Sequence, residues 1–265
     1  MNAEHPDPTD LTDPTDPTEV SITLSEEDGV RYLHFGTPWI QGAMDIRRPD
    51  RLLLAYVEQM MAWMLFLEPP ARILQLGLGA GSLTRFCLRH CPDAELTVVE
   101  HSRDVIETAH QWFALPRSHP QLKLVRRDAQ AYLEPAARRG RYGVLQVDLY
   151  DMYAEGPAIE SPTFYGLCVR ALADPGVAVF NLFGEHASTE RNLKRIREAF
   201  EDRVLELPAT EAGNLVVLGF KGPPLVVTWK AVERRAALLR RQLRLPAPHW
   251  VAGLRAASAA PTLTV

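Results

Sequence analysis

Apolar and polar residues alternate in short stretches at the start of the main body of the chain. Val20–Leu24 and Val30–Phe35 flank a turn at Glu27-Asp28-Gly29, and a third short stretch covers Trp39–Gln41. Period-two alternation around an Asp-Gly pair is typical of a β-hairpin. We therefore predict a small antiparallel β region over residues 20–48.

The segment from Arg51 to Leu67 is apolar on all sides when read with a helical period. A helix of this kind is expected to be buried or to form part of a subunit contact. Pro69-Pro70 follows it and would end it. We predict one helix over Arg51–Leu67.

The next 150 residues alternate between apolar runs and amphipathic stretches. The predicted strands are Arg72–Leu76, Leu96–Glu100, Lys123–Arg127, Val144–Asp148 and Val177–Leu182. The predicted helices are Ser82–Arg89, Asp104–Phe113, Gln130–Ala137, Pro162–Ala173 and Ser188–Phe200. Continuous apolar strands joined by helices indicate a parallel sheet that is covered on both faces, which is an α/β fold.

The pattern changes after the last of these helices. Val204–Leu207 and Asn214–Phe220 are separated by a short loop containing glycine, which predicts an antiparallel strand pair. Five parallel strands followed by a hairpin is the order of a Rossmann-like, seven-stranded S-adenosylmethionine-dependent transferase fold. Trp229–Leu245 is predicted as a final helix with a solvated, arginine-rich face.

Composition and charge exclude several classes of protein. The 265 residues are 46% hydrophobic and 23% charged, and the formal net charge is −4, so the basic excess of a nucleic-acid-coating protein is absent. No stretch is long and apolar enough for a membrane span, and no secretory signal opens the chain, so we expect a cytoplasmic protein. Three cysteines predict no disulfide framework. Cys87 and Cys91 are interpreted as core residues, and we predict no metal site.

The composition also divides the chain into regions. Residues 1–19 repeat Asp-Pro-Thr and carry six acidic and no basic side chains, which predicts a disordered acidic tail. We assign residues 20–48 to the small β-rich region, 49–228 to a Rossmann-like catalytic domain, and 229–265 to a C-terminal basic helix and tail.

A glycine-rich loop follows the first strand of the predicted parallel sheet. Gly77, Gly79 and Gly81 lie between an apolar strand and a helix start, where backbone N–H groups can approach a ligand. Glu100 ends the second strand, where a carboxylate can accept both hydroxyls of a ribose. The loop and the acid together predict a site for a nucleoside-containing cofactor.

Acidic residues also follow the third and fourth strands. Asp128 comes after the third strand, and Asp148 and Asp151 come at the end of the fourth. Ligands of open α/β sheets bind beyond the carboxyl ends of the strands, so Glu100 and these three acids are expected around one crevice. Carboxylates crowded together favour a cationic partner. The sequence therefore predicts a cationic substrate.

Residues from about Val30 to Phe220 resemble the spermidine synthase (polyamine aminopropyltransferase) family. The most specific feature is the Asp-x-x-Asp of Asp148 and Asp151, followed by Phe164-Tyr165. The other matching features are Gln41 at the end of the β region, the glycine-rich loop, Glu100, Asp128-Ala129 and Asp174-Pro175-Gly176-Val177.

The resemblance implies aminopropyl transfer from decarboxylated S-adenosylmethionine, as co-substrate, to a small amine, putrescine first. It implies Glu100 on the ribose, Asp128 and Ala129 on the adenine, and Pro157 in the loop over the adenine. Asp148 would accept the proton and Asp151 would help to hold the amine. Further contacts to the amine are assigned to Gln41, Tyr56 and Tyr150. The resemblance also implies a homodimer.

Two departures from the family pattern concern the amine acceptor. Ala80 stands where the family loop has an aspartate that contacts an amine. Ala55-Tyr56-Val57 stands where the family has Tyr-His-Glu, so Tyr56 substitutes only if the register shifts by one residue. Either the acceptor differs or the chain is a weakened relative.

Two other functions remain open at this point. One is a methyltransferase that uses S-adenosylmethionine on an unknown acceptor, although Gln75 stands where such enzymes usually carry an acid. The other is a cofactor-binding pseudoenzyme. Against it, Asp148 and Asp151 are both retained, and idle paired carboxylates destabilise a fold.

Overall fold

The computed structural model describes residues 21–37, 39–149, 161–184 and 187–265. The predicted acidic tail therefore lies outside the described residues. The region that follows it is a three-stranded antiparallel sheet in the order β1-β2-β3. Its strands are β1 (Ile22–Glu27), β2 (Val30–Phe35) and β3 (Gly42–Asp45). Asp28 and Gly29 both have positive φ, as a tight hairpin requires, whereas the third strand begins at Gly42 rather than at the predicted Trp39.

The continuous helix predicted over Arg51–Leu67 is wrong. The segment forms a five-residue helix, α1 (Ala55–Gln59), and then a 3₁₀ turn over Ala62–Leu65. The side-chain amide of Gln146 donates to the carbonyl of Met60 at 2.9 Å, and Met64 N bonds to Met61 O instead. The α-helical ladder is therefore interrupted where the neighbouring strand supplies a competing donor.

The seven-stranded α/β sheet is confirmed. Its order is β6-β5-β4-β7-β8-β10-β9, with parallel pairing from β6 to β8 and antiparallel pairing of β10 with β8 and β9. The strands are β4 (Arg72–Leu76), β5 (Glu95–Glu100), β6 (Leu122–Arg126), β7 (Tyr142–Val147), β8 (Leu172–Phe183), β9 (Val204–Glu206) and β10 (Asn214–Lys221).

Helices cover both faces of this sheet. They are α2 (Ser82–His90), α3 (Arg103–Trp112), α4 (Ala129–Leu133), α5 (Pro162–Ala171) and α6 (Ala187–Ala199). Successive buried strand residues fall into two separate apolar clusters: Ile73 belongs to one and Leu74 to the other. This alternation explains why the strands are apolar throughout, since each face is packed.

The C-terminal region contains more structure than the basic helix and tail that were predicted. It consists of β11 (Val226–Thr228), α7 (Trp229–Leu243), α8 (Ala247–Ala256) and β12 (Thr262–Thr264), and β12 pairs antiparallel with β11. Both α7 and α8 contact the 3₁₀ turn over Ala62–Leu65, whose residues are at most 6% exposed. That apolar segment is thus buried within one chain rather than presented as a subunit contact. Among the described residues, no helix is long and apolar enough to span a membrane.

Candidate active site

Four of the predicted site positions follow neighbouring strands at one edge of the sheet. Gly77 N donates to Val99 O of β5, and Asp148 N donates to Leu76 O of β4, both at 2.9 Å. Arg127 N donates to Glu100 O at 3.0 Å, which brings the residue after it, Asp128, alongside the end of β5. The carboxyl ends of β4, β5, β6 and β7 therefore form one continuous edge, as in other open α/β sheets that bind ligands there.

The first glycine of the loop is required by its contact with β7. Gly77 has φ of +93°, and a Cβ built on it would lie 2.0 Å from the backbone oxygen of Asp148. Only glycine adopts this conformation at that separation. Gly79 and Gly81 also have positive φ, and Gly81 caps the N-terminus of α2. At its glycines the loop therefore presents backbone without side chains between the ends of β5 and β7, which carry Glu100 and Asp148.

Glu100 is held by two backbone N–H groups. It is 7% exposed, and its Oε2 accepts from Leu78 N at 3.0 Å while its Oε1 accepts from Ser102 N at 2.9 Å. His101 Nδ1 also lies 3.2 Å from Oε1, so Oε2 is the oxygen better placed to accept from a ligand hydroxyl. The bond from Leu78 N means that the glycine-rich loop itself helps to hold the Glu100 carboxylate in place.

Asp128 and Ala129 are at the start of α4. The exposed Asp128 is the N-cap residue, and its Oδ1 accepts from Ala131 N at 2.8 Å. Ala129 is 6% exposed. The sequence alone predicted a ligand contact for Asp128, and the structure adds a structural role, since an N-cap carboxylate stabilises the helix end.

Asp148 lies at the end of β7 and is partly buried. The side chain of Asn181 on β8 donates to its Oδ1 at 2.9 Å. Desolvation by burial raises the pKa of Asp148 to about 6, while the hydrogen bond from Asn181 opposes that shift. A carboxylate of this kind is a stronger base than an exposed aspartate.

A cavity of about 340 Å³ lies beyond Asn181, the residue that bonds to Asp148, and is called the acceptor pocket below after the role proposed for it. Its lining includes Gln41 and Tyr56, both predicted as amine contacts, and Asn181, which bonds to Asp148. Burial raises the pKa of the Tyr56 phenol well above its usual value, and the negative charge of Asp148 raises it further. The other lining residues are Trp39, Ile40, Leu54, Ala55, Phe183, Thr210, Ala212 and Asn214.

Ala80 is explained by the packing of the N-terminal sheet. It is 3% exposed and belongs to a small apolar cluster with Leu33, Met44 and Phe113. A Cβ built on Gly42 of β3 would lie 2.5 Å from the Cβ of Ala80. A longer side chain at residue 80 would therefore have to displace β3, so this position and Gly42 are sterically matched.

Gln75 is a core residue. It is 2% exposed, its Nε2 donates to Gln146 Oε1 at 2.9 Å, and its Oε1 accepts from Thr84 Oγ1 at 2.7 Å. These bonds join β4, β7 and α2 beneath the loop. The amide is thus paired with neighbouring protein side chains on both of its polar atoms.

Several predicted positions lie outside the described residues, namely Tyr150, Asp151 and Pro157. Within the described ranges, no group of three or more His, Cys, Asp or Glu side chains could hold a metal ion. Cys87 and Cys91 are buried in the large apolar cluster.

Sequence reasoning missed the amide side of the acceptor pocket. Asn181 is 2% exposed near the C-terminal end of the apolar strand β8, and Asn214 is 5% exposed at the start of β10. Asparagine is unfavourable inside a buried strand, so its presence in Val-Phe-Asn-Leu-Phe was a usable signal. Trp39 and Phe183, which meet edge to face across the pocket, gave no comparable signal.

No family model matches the chain. A polyamine aminopropyltransferase from Chromobacterium violaceum is 34% identical over 234 residues, covering 88% of this chain and 89% of that protein. One from Neisseria meningitidis serogroup A is 32% identical over 238 residues, covering 89% and 90%.

Solved structures share the fold. A probable spermidine synthase from Corynebacterium glutamicum has a TM-score of 0.65 at 18% identity and covers 92% of this chain and 86% of that one. Human methyltransferase-like protein 13 in complex with SAH also reaches 0.65, at 23% identity, covering 72% and 93%. The fold is thus shared by spermidine synthases and by a methyltransferase-like protein, so the fold does not distinguish the two classes. The family assignment rests instead on the sequence identity to polyamine aminopropyltransferases over nearly the whole length of the chain. The chain belongs to the polyamine aminopropyltransferase family.

Proposed function

We propose that this chain transfers an aminopropyl group from decarboxylated S-adenosylmethionine to putrescine or a related amine, giving spermidine and methylthioadenosine. The observation that carries the proposal is the position of Asp148. It is a partly buried carboxylate whose backbone oxygen packs against Gly77 of the glycine-rich loop and whose side chain bonds to Asn181, a residue that lines the cavity.

The donor is assigned to the glycine-rich loop and the ends of β5 and β6. Glu100 would bind the ribose hydroxyls chiefly through Oε2, which accepts from Leu78 N, because Oε1 already has both Ser102 N and His101 Nδ1 beside it. Asp128 and Ala129 would contact the adenine, and Pro157 would lie in the loop over it. When bound, the donor supplies a propyl carbon that is already activated by a sulfonium.

The acceptor is assigned to the pocket beside Asp148. An alkyl amine has a pKa of about 10, so at neutral pH it arrives as an ammonium ion without a lone pair for attack. Asp148 accepts one proton from this nitrogen, the freed lone pair forms the new N–C bond, and the C–S bond breaks with its electrons on sulfur. General-base assistance of this kind contributes about 10²–10⁴ in rate.

The remaining predicted amine contacts are Gln41, Tyr56, Tyr150 and Asp151. Tyr56 supports the proposal because it lines the pocket and lies close enough to Asp148 to sense its charge. Ala80 is packed against β3, so the amine contact that the family aspartate makes has to come from other residues. This difference makes the acceptor the least constrained part of the proposal.

The first experiment replaces the proposed base. Asp148→Asn keeps the shape of the side chain and can still accept from Asn181, but it cannot take the proton. We expect kcat with decarboxylated donor and putrescine to fall by about 10²-fold or more, with the dissociation constant for methylthioadenosine within a few-fold of wild type. Asp93→Asn, exposed at the opposite edge of the sheet, is the matched control. Full turnover in Asp148→Asn would remove the base assignment.

The second experiment separates aminopropyl from methyl transfer. The two donors differ by one carboxylate, so calorimetry compares their affinities and a turnover assay with each donor compares the two activities. The proposal requires tighter binding of the decarboxylated donor. Preference for the carboxylated donor would indicate a methyltransferase, and methylthioadenosine binding without either activity would indicate a pseudoenzyme.

A cytoplasmic location and a homodimer also belong to the proposal. The homodimer is supported by the family resemblance and not by the Ala62–Leu65 segment, which is buried within the chain. Light scattering on the purified full-length chain tests it through the molar mass, since one chain weighs 29.7 kDa.

A further inference from the structure

A line of buried polar side chains leads from Asp148 across the sheet. Asn181 Nδ2 donates to Asp148 Oδ1 at 2.9 Å, and Asn214 Nδ2 donates to Asn181 Oδ1 at 3.1 Å. Thr210 Oγ1 then accepts from Asn214 N at 3.0 Å and lies 3.4 Å from Asn214 Oδ1. These three residues, Asn181, Asn214 and Thr210, are called the amide relay.

Strand register brings the members of the relay together. Val147 of β7 pairs with Phe180 of β8, so the next residues, Asp148 and Asn181, come level. In the antiparallel pair of β8 and β10, Asn181 is opposite Val216, which puts Asn214 at the diagonal position on the same face. The backbone of the central sheet therefore sets the spacing of the Asp148, Asn181 and Asn214 side chains.

The relay also fixes which end of each amide faces its neighbour. Because Asn214 donates to Asn181 Oδ1, the Nδ2 of Asn181 must point at Asp148. A flipped Asn181 would put two oxygens together at Asp148 and two NH₂ groups together at Asn214, and both contacts are repulsive. Burial of Asn181 and Asn214, at 2% and 5% exposed, makes such mismatched pairs expensive.

We propose that Asn181 is a positioning residue for the reaction: its amide, oriented by Asn214, holds Asp148 through Oδ1 and leaves Oδ2 to accept the proton of the amine. The inference rests on the proposed function, because it assigns a task to Asp148. Asn181 is the hydrogen-bond donor to the Asp148 side chain within the described part of the chain. The titratable group that faces Asp148 from the neighbouring helix is Tyr56, which is neutral in the pH range of the test.

The relay favours the ionised form of Asp148. Burial raises the pKa of this carboxyl, and the bond from Asn181 lowers it. Without the bond, the pKa of Asp148 would rise further, so a larger fraction of the enzyme would carry a protonated, inactive carboxyl at low pH. A hydrogen bond to the charged form is worth about one pKa unit in such a site.

The test uses two variants of the full chain. Asn181→Leu removes the donor while keeping a similar volume. Asn214→Leu keeps a similar volume, adds no charge and removes the NH₂ group that holds Asn181 in its orientation. The second variant leaves the Asp148 contact itself unmutated, and it preserves the test if Asn181→Leu does not fold.

Two readouts are followed, the pH dependence of kcat with decarboxylated donor and putrescine, and the carbon-13 NMR titration of the Asp148 carboxyl. In both variants we expect the acid limb and the NMR titration to move up by about one unit, with about tenfold lower kcat well below the midpoint. Activity at high pH should return to within a few-fold of wild type. Thr210→Val, which cuts only the last link, should give a smaller shift in the same direction.

Asn192→Leu is the matched control. Asn192 is fully buried on α6, and its side chain has no hydrogen-bond partner in the described ranges, so its replacement should leave the acid limb in place. An unchanged acid limb in Asn181→Leu or Asn214→Leu, or a change confined to KM for the amine, would overturn the inference and leave Asn181 as a wall of the pocket.

Failure of the inference can be distinguished from failure of the proposed function. If Asp148→Asn is inactive and Asn181→Leu keeps the wild-type pH profile, only the relay is wrong. If Asp148→Asn turns over normally, the base assignment falls first and the relay falls with it. In the Asp148→Asn background, Asn181→Leu should add no further loss, since the two residues would act as one unit.

Discussion

The two halves of the cleft are built in different ways. The proposed donor half comprises the Gly77–Ser82 loop, Glu100 and Asp128, and its two carboxylates accept from backbone N–H groups at 2.8–3.0 Å. The acceptor pocket takes its lining from four separated parts of the chain and is held by bonds between side chains, above all Asn181 and Asn214.

This difference affects which side chains of the cleft can be substituted without loss of the fold. In the proposed donor half, backbone N–H groups bond to the carboxylates of Glu100 and Asp128, so variation is restricted at these two acids and at Gly77, where a Cβ would overlap Asp148. A pocket of side chains can be altered one residue at a time without disturbing the sheet. The departures at Ala80 and Tyr56 both concern the amine, as expected if acceptor choice varies while the nucleoside site is retained.

The largest expected effect comes from the point where the two halves meet. Gly77→Ala adds a Cβ that would lie 2.0 Å from the carbonyl oxygen of Asp148 at φ of +93°. Relief of that overlap must move either the loop or the end of β7, so we expect a loss of roughly 3 kcal/mol or more in the free energy of unfolding. Both donor binding and turnover should fall together, as measured by denaturant unfolding and by calorimetry with methylthioadenosine.

Gly140→Ala separates the overlap from the backbone strain. Gly140 has φ of +64°, but a Cβ on it would meet nothing within 4 Å. Its replacement should cost only about 1–2 kcal/mol of left-handed strain and leave nucleoside binding unchanged. Equal losses of unfolding free energy in Gly77→Ala and Gly140→Ala would mean that the close contact between the loop and β7 does not contribute to stability.

A smaller effect, confined to the donor half, is expected from Glu100→Gln. The amide presents an NH₂ group to either Leu78 N–H or Ser102 N–H, where the carboxylate accepted from both. Loss of a charge-assisted bond of this kind costs about 1.5–3 kcal/mol, which corresponds to roughly ten- to hundredfold weaker methylthioadenosine binding.

Glu95→Gln at the other end of the same strand is the control for that variant. Glu95 is exposed and pairs with Arg72, at 3.1 Å between Nε and Oε2. Exposed pairs contribute little, so binding should not change. If Glu95→Gln weakened the nucleoside as much as Glu100→Gln, a general loss of negative charge would explain the result, and the ribose assignment would be wrong.

The donor half and the sheet were predictable because their signals are local. An apolar strand, a glycine-rich turn and an acid at the next strand end all occur between Arg72 and Glu100, and the predicted strand Arg72–Leu76 has the observed bounds. The apolar helix at Arg51–Leu67 was not predictable as two pieces, because the donor that interrupts it, Gln146, comes from a distant strand. The helix α8 was hidden by Pro246 and Pro248, which a helix tolerates at its start.

The acceptor pocket could not be assembled from the sequence. Trp39, Tyr56, Asn181 and Asn214 meet only when β10 pairs antiparallel with β8 and α1 packs beside them. No local pattern encodes that register. Asn181 was the exception, since an isolated amide in an apolar strand needs a buried partner.

The smallest expected effect lies wholly within the acceptor pocket. Tyr56→Phe removes one hydroxyl beside Asp148 and keeps the ring, so an amine that bonds to this hydroxyl loses about 0.5–1.5 kcal/mol. Steady-state kinetics should show KM for putrescine raised about two- to tenfold, with methylthioadenosine binding unchanged. Tyr32→Phe, on β2 of the N-terminal sheet, is the matched control and should match wild type. An unchanged KM in Tyr56→Phe would leave the acceptor without this contact, whereas weaker nucleoside binding would show that the two halves of the cleft are not independent.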